Sequence, residues 1–193
     1  ANDTYVLLSK ATVGSTGASS ITFSNIPQTG YTDLKVVVSG RSLADTSPSN
    51  VYLVFNGDNT GNHYSYKTFY GTGSSVANIG NNANGVYWGI IAASNSTAST
   101  FGNTEFYIPN YTSSNYKSVS VDGVSENNGT LVATCFSTSI WNSASAITSI
   151  QVAEANTGFT QYTTIYLYGV SNVNATPTVA PFATGGDLSL IHI

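Results

Sequence analysis

Side chains along this chain alternate apolar and polar with a period of two, and no segment carries the sustained 3.6-residue stripe of an amphipathic helix. That pattern confines the chain to sheets. In Thr32-Asp33-Leu34-Lys35-Val36-Val37-Val38-Ser39, Leu34, Val36 and Val38 share one side while Asp33, Lys35 and Ser39 share the other, the signature of a half-buried strand. The same reading applies to residues 19–26, 51–56, 86–93, 105–108, 117–124, 147–153 and 163–169, and more weakly to 5–9, giving about ten strands.

Between these strands lie Asn56-Gly57-Asp58-Asn59-Thr60-Gly61-Asn62, Asn81-Asn82-Ala83-Asn84-Gly85 and Glu126-Asn127-Asn128-Gly129. They are rich in residues that tolerate positive φ and read as tight loops. Parallel strands would need crossover helices, and none is evident. The expected fold is therefore all-β, an antiparallel two-sheet sandwich of jelly-roll-like topology, with a barrel as the alternative.

With 193 residues the chain can build one β domain with a proper core. The domain is expected to occupy residues 1–170. After Gly169 the stretch 170–181 loses the alternation and carries Pro177 and Pro181, so 171–193 reads as an extended linker and a truncated tail. The ending Leu188-Ser189-Leu190-Ile191-His192-Ile193 resembles the translated end of a sequencing-library adapter, and the natural chain is expected to continue past Asp187.

Charged residues are 7% of the chain against a usual quarter, so its surface relies on Ser, Thr, Asn and Gly. Disorder is not the consequence, because 13 Tyr, 8 Phe and many β-branched residues provide material for a core. A net charge of −4 with five Lys and Arg leaves no basic patch to neutralise a row of phosphates. Nucleic acid is not an expected partner. Membrane insertion is not expected either, since no apolar run approaches the length of a bilayer span. The start, Ala1-Asn2-Asp3-Thr4-Tyr5, lacks the features of a signal peptide and reads as a cytoplasmic product that has lost its initiator Met.

Catalytic chemistry finds little support. Outside the tail, His63 is the one histidine, and its position after a turn-rich loop suits surface or loop packing better than general-base work. The acids Glu105, Asp122, Glu126 and Glu154 offer no evident pairing of the kind glycosidases use. Cys135 lies in the apolar run Leu131-Val132-Ala133-Thr134-Cys135-Phe136 and reads as a small buried hydrophobe. The oxygen-rich Asn56-Gly57-Asp58-Asn59 does not match the EF-hand spacing, and turn formation explains it without an ion. No metal, no cofactor and no enzyme activity are expected.

Aromatic residues next to polar loops are a stronger signal. Tyr64, Tyr66, Phe69 and Tyr70 follow the 56–62 loop, and Tyr87 and Trp88 follow the 81–85 loop. Sugar-binding sites stack pyranose C–H faces on rings while amides and carboxylates take the hydroxyls. Asn56, Asp58, Tyr64, Tyr66 and Trp88 are accordingly the candidate ligand-binding set. Alternating aromatics in a sandwich also serve as core or cross-strand pairs, and that reading stands beside the first.

Several stretches taken together are familiar. They include 18–27 (ASSITFSNIP), 31–34 (YTDL), 54–58 (VFNGD), 62–66 (NHYSY), 101–111 (FGNTEFYIPNY), 146–150 (AITSI) and 159–169 (FTQYTTIYLYG). In this order they resemble a family of structural proteins encoded by tailed phages, over essentially the whole domain. The resemblance implies a virion component of the tail fibre, baseplate or capsid surface, made in the host cytoplasm without a signal peptide. It also implies homo-oligomerisation, as a trimer if the part is a fibre, contacts with other virion proteins and, for a tail part, host-surface glycan as ligand. A secreted carbohydrate-binding, lectin-like domain is the alternative outside the virion.

Overall fold

A computed structural model describes residues 4–46, 48–128 and 132–172. Among them there is no helix; the elements are β1 (Tyr5–Thr12), β2 (Ser20–Phe23), β3 (Tyr31–Gly40), β4 (Ser49–Phe55), β5 (Tyr64–Thr72) and β6 (Ser75–Ala83), followed by β7 (Val86–Ile91), β8 (Gly102–Ile108), β9 (Lys117–Glu126), β10 (Val132–Trp141), β11 (Ile150–Glu154) and β12 (Thr164–Ser171). All named strands pair antiparallel. One sheet has the order β1-β12-β3-β8-β9-β10-β5-β6 and the other β2-β11-β4-β7.

The expected jelly-roll character is visible in those orders. Once the hairpins β5–β6 and β9–β10 are set aside, the large sheet reduces to β1-β12-β3-β8 and the small one stays β2-β11-β4-β7. This is the double Greek key of a jelly roll, in which the chain crosses repeatedly between two four-stranded sheets. The two hairpins then extend one sheet past the edge of the other.

The alternation read from the sequence becomes the core. Leu34, Val36 and Val38 of β3 are fully buried, as are Val51, Leu53 and Phe55 of β4, Phe106 and Ile108 of β8, and Ile150 and Val152 of β11. Each such side chain removed from water contributes about 1.5–3 kcal/mol before entropy is charged against it. Cys135 is also fully buried and packs with Ile90, Ala133 and Tyr70 in a smaller cluster, as the apolar run around it suggested.

The sequence reading assigned no strand to β5, β6 or β10, and it treated Asn81–Ala83, the end of β6, as loop. In β10 the usual polarity is reversed: Val132, Phe136 and Ile140 face solvent, while Ala133, Cys135, Ser137 and Ser139 point inward. Small inward residues are needed because β7 of the opposing sheet packs directly on β10. The Trp88 carbonyl of β7 accepts from Cys135 Sγ at 3.0 Å and Ser137 Oγ at 3.3 Å. The last strand ends at Ser171, and the linker and tail expected over 171–193 lie, beyond Asn172, outside the described residues.

Candidate functional site

The five residues singled out from the sequence fall at two separate places. Asn56 and Asp58 lie on the connection between β4 and β5, Tyr64 opens β5, and all three are absorbed into structure. Asn56 has φ 52°. Its Oδ1 accepts from the Thr148 amide at 2.8 Å, the Ser149 amide at 3.1 Å and the Thr148 hydroxyl at 3.2 Å, while Nδ2 donates to the Ala146 carbonyl at 2.8 Å. This side chain ties the loop to the start of β11 and has little hydrogen-bonding capacity left for a ligand.

Asp58 accepts from the indole Nε1 of Trp141 at 2.8 Å and the Thr60 amide at 3.3 Å, and His63 Nδ1 lies 3.0 Å from both carboxylate oxygens. Partial burial would raise its pKa, but the Trp141, His63 and Thr60 donors outweigh that and bring it down to about 2. Tyr64 is 1% exposed, packs against Phe55 and Trp141, and its hydroxyl accepts from the Phe55 amide at 3.0 Å. Burial raises its phenol well above the usual value. A ring so enclosed has no face to offer a sugar.

Tyr66 and Trp88 come together elsewhere, where the β5–β6 hairpin overhangs the edge strand β7. Opposite Tyr52 the β4–β7 register slips, and Trp88 takes φ 75°, a bulge that swings its indole towards β5. The result is a chain of half-buried rings: Tyr52 stacks on Tyr87 at 4.7 Å, Tyr87 meets Tyr66 at 6.2 Å, Tyr66 meets Trp88 at 6.4 Å, and Trp88 stacks on Tyr70 at 5.5 Å. A cavity of about 250 Å³ opens beside Trp88 and Tyr70, with Pro48, Asn50 and Thr134 in its wall.

The most developed surface is one that the sequence did not announce, the outer face of the eight-stranded sheet. Phe69 of β5 and Phe136 of β10 stand directly opposite each other, each 61% exposed. In the same cross-strand row Phe136 pairs with Asp122 of β9, and Asp122 pairs with Glu105 of β8. On β3 the row ends at Val37, the partner of Glu105, and Lys35, two residues away on the same face, reaches across to set its Nζ 2.5 Å from Glu105 Oε2. Phe69, Phe136, Asp122, Glu105 and Lys35, with Lys67, line a hollow of about 380 Å³.

That hollow continues in both directions. It shares Lys35 and Glu105 with a neighbour of about 310 Å³ that reaches Tyr5 and Tyr168, and Lys67 and Thr138 with one of about 440 Å³ that reaches Asn82 and Ile140. A band thus crosses the sheet from β12 to β6. Strands sit about 4.8 Å apart, so six spacings give a length of roughly 29 Å.

The charges in the band balance. The Glu105 hydrogen bond holds the Lys35 ammonium above its usual pKa. Partial burial, and then the Glu105 charge, raise the Asp122 carboxyl. Among the described residues neither Asp122 nor Lys67 has a hydrogen bond or salt bridge of its side chain. The band therefore offers two uncommitted polar heads beside two open aromatic rings.

Two described residues, Cys135 and His63, bear groups with nucleophilic or basic chemistry. Burial, with a smaller contribution from Asp122, pushes the Cys135 thiol up to about 12. His63 faces Asp58, and no hydroxyl or thiol is hydrogen-bonded to its ring among the described residues. No group of three or more His, Cys, Asp or Glu side chains is gathered as a metal site among those residues. Comparison with family models, with curated proteins and with solved structures finds no match for this chain.

Proposed function

We propose that this chain is a non-enzymatic surface module of a tailed-phage virion, tail-associated, whose eight-stranded sheet binds host-surface glycan on its outer face. The observation that carries the glycan reading is the Phe69 and Phe136 pair, open to solvent beside Asp122 and Lys67. Exposed rings stack on the C–H faces of sugars, and the adjacent carboxylate and ammonium take hydroxyls and substituents. The length of the band suits a linear chain of several rings better than a single monosaccharide. The virion assignment rests on the sequence resemblance, with the domain's low charge and sandwich architecture in keeping with it.

A capsid decoration or purely structural role is the second reading. It is favoured by Val76, Val124 and Val132, which lie exposed on the same face as Phe69 and Phe136 and would suit a protein contact. Immunogold labelling of purified phage particles separates the two by whether label falls on the tail or the head, and absence of label from both defeats the virion assignment. Incubation with bacterial surface polysaccharides is expected to give binding without release of reducing ends; their release would establish a hydrolase instead.

A further inference from the structure

Among the described residues the sandwich has four edge strands, and three of them are closed to further pairing. Strand β1 carries a bulge between Leu7 and Ser9 and the charge of Lys10, and β2 has four residues. Strand β7 is bulged, and side chains of the large sheet occupy its backbone. Thr104 Oγ1 bonds both the amide and the carbonyl of Ile90, while Cys135 and Ser137 donate to Trp88. Bulges, charges and short length are how proteins keep edges from pairing.

Strand β6 has none of these devices. It is nine residues long, Ser-Val-Ala-Asn-Ile-Gly-Asn-Asn-Ala, without charge, proline or register break against β5. Its hairpin closes on Thr72 opposite Ser75 around Gly73-Ser74, with Gly73 at φ 57°. In such a two-residue hairpin the closing pair is hydrogen-bonded and the pattern alternates. Ser75, Ala77, Ile79, Asn81 and Ala83 therefore bond to β5, and Val76, Asn78, Gly80 and Asn82 turn their amides and carbonyls outward. Asn82 bonds its amide to the Asn81 side chain at 2.9 Å; Val76, Asn78 and Gly80 make no backbone bond to another element among the described residues.

We infer that β6 pairs antiparallel with β6 of a second copy of this chain, about a two-fold axis at Ile79, joining two eight-stranded sheets into one continuous sheet. The sequence of β6 suits itself in this register. Asn78 of one copy faces Gly80 of the other and exchanges both backbone bonds with it, and the two Ile79 side chains meet at the axis. The absence of charge on β6 removes the like-charge repulsion that self-pairing would otherwise meet.

Gly80 supplies a second reason. Lys67 lies across it so closely that a Cβ there would fall 2.5 Å from the lysine Cδ, and its ammonium makes no salt bridge or hydrogen bond among the described residues. In the paired sheet the partner's Asn78 stands beside Gly80 on that same face, with its amide oxygen offered to the ammonium. A contact in which the same strand serves both copies is isologous and closes as a dimer.

Sedimentation of the full chain and of Asn78→Pro tests this. Proline at 78 removes an outward amide that does not serve β5, so the fold is kept, as circular dichroism would verify, while self-pairing is blocked. The expected result is a dimer for the native chain and a monomer for the variant. Asn78→Lys is expected to do the same by charge repulsion and guards against a proline-specific fault. Hydrogen exchange of the native chain should show the Asn78 and Gly80 amides protected; the Gly80 amide should become fast in either variant, and the amide of residue 78 in Asn78→Lys. A native chain that is monomeric or trimeric, a dimer that both variants retain, or unprotected Asn78 and Gly80 amides in the native dimer would overturn the inference. Asn78 stands opposite Phe69 across the hairpin, but sedimentation and hydrogen exchange are read without sugar, so the result is independent of the glycan reading.

Discussion

Phe136 on β10 stands directly opposite Phe69 on β5, and both rings face solvent on the outer side of the eight-stranded sheet. A cross-strand aromatic pair of this kind contributes about 0.2–1 kcal/mol to the sheet, less than a buried pair would. Replacing both with alanine is therefore expected to lower stability by no more than about 1 kcal/mol, read as the urea midpoint with an unchanged slope. A loss several times larger would mean that the pair is a structural member.

Asp58 and Glu154 make the fold sensitive to acid. Glu154, 6% exposed, accepts from the amides of Asn156, Thr157 and Gly158 and from the Ser49 hydroxyl at 2.6 Å. Burial alone would raise its carboxyl, but these donors together hold it below the usual carboxylate range. Asp58 is lowered from 3.8 to about 2. A depressed folded-state pKa gives stability that is fully present above the unfolded value and is lost as pH falls through the folded one. Thermal midpoints should therefore hold from neutrality to about pH 4 and fall between there and pH 2, with a smaller fall for Asp58→Asn, which starts lower.

Glu154→Ala is the more damaging change. It strands the amides that turn the chain after β11, where Gly158 sits at φ 109°. Leaving the buried Gly158 amide and the part-buried Asn156 and Thr157 amides unpaired costs on the order of 1–3 kcal/mol, a shift that calorimetry resolves readily.

Cys135 should be unreactive in the folded chain. It is fully buried, its sulfur faces the Trp88 carbonyl, and its pKa is pushed up to about 12. A thiol-specific chromogenic reagent at pH 8 is expected to label it in denaturant and to leave it untouched without denaturant. Rapid labelling of the native protein would mean that β7 opens from β10.

Much of the architecture was legible because each strand of the central core carries its own alternation: Leu34, Val36 and Val38 announce β3 without reference to any partner. The turn asparagines were legible for the same local reason, since Asn56, Asn62 and Asn128 all adopt positive φ. Strand β10 was not, because it points Phe136 and Ile140 outward and Cys135 and Ser137 inward, against the pattern that marks a strand. The outer-face band was hidden more deeply. Phe69, Phe136, Asp122 and Glu105 come from four strands, and only the pairing order places them in one row, with Lys35 of a fifth strand beside its end. Adjacency to a polar loop was a poor guide to exposure: it selected Tyr64, which is core, and passed over Phe69, five residues further on, which is open to solvent.

The central claim is that Phe69 and Phe136 bind sugar, and it is tested most directly by presenting an array of bacterial surface polysaccharides to the native chain and to the Phe69→Ala/Phe136→Ala variant in parallel. The account predicts that at least one polysaccharide is retained by the native chain and that its affinity falls tenfold or more in the variant, about 1.4 kcal/mol of binding energy. An array on which nothing binds the native chain, or on which the variant binds as well, would contradict it.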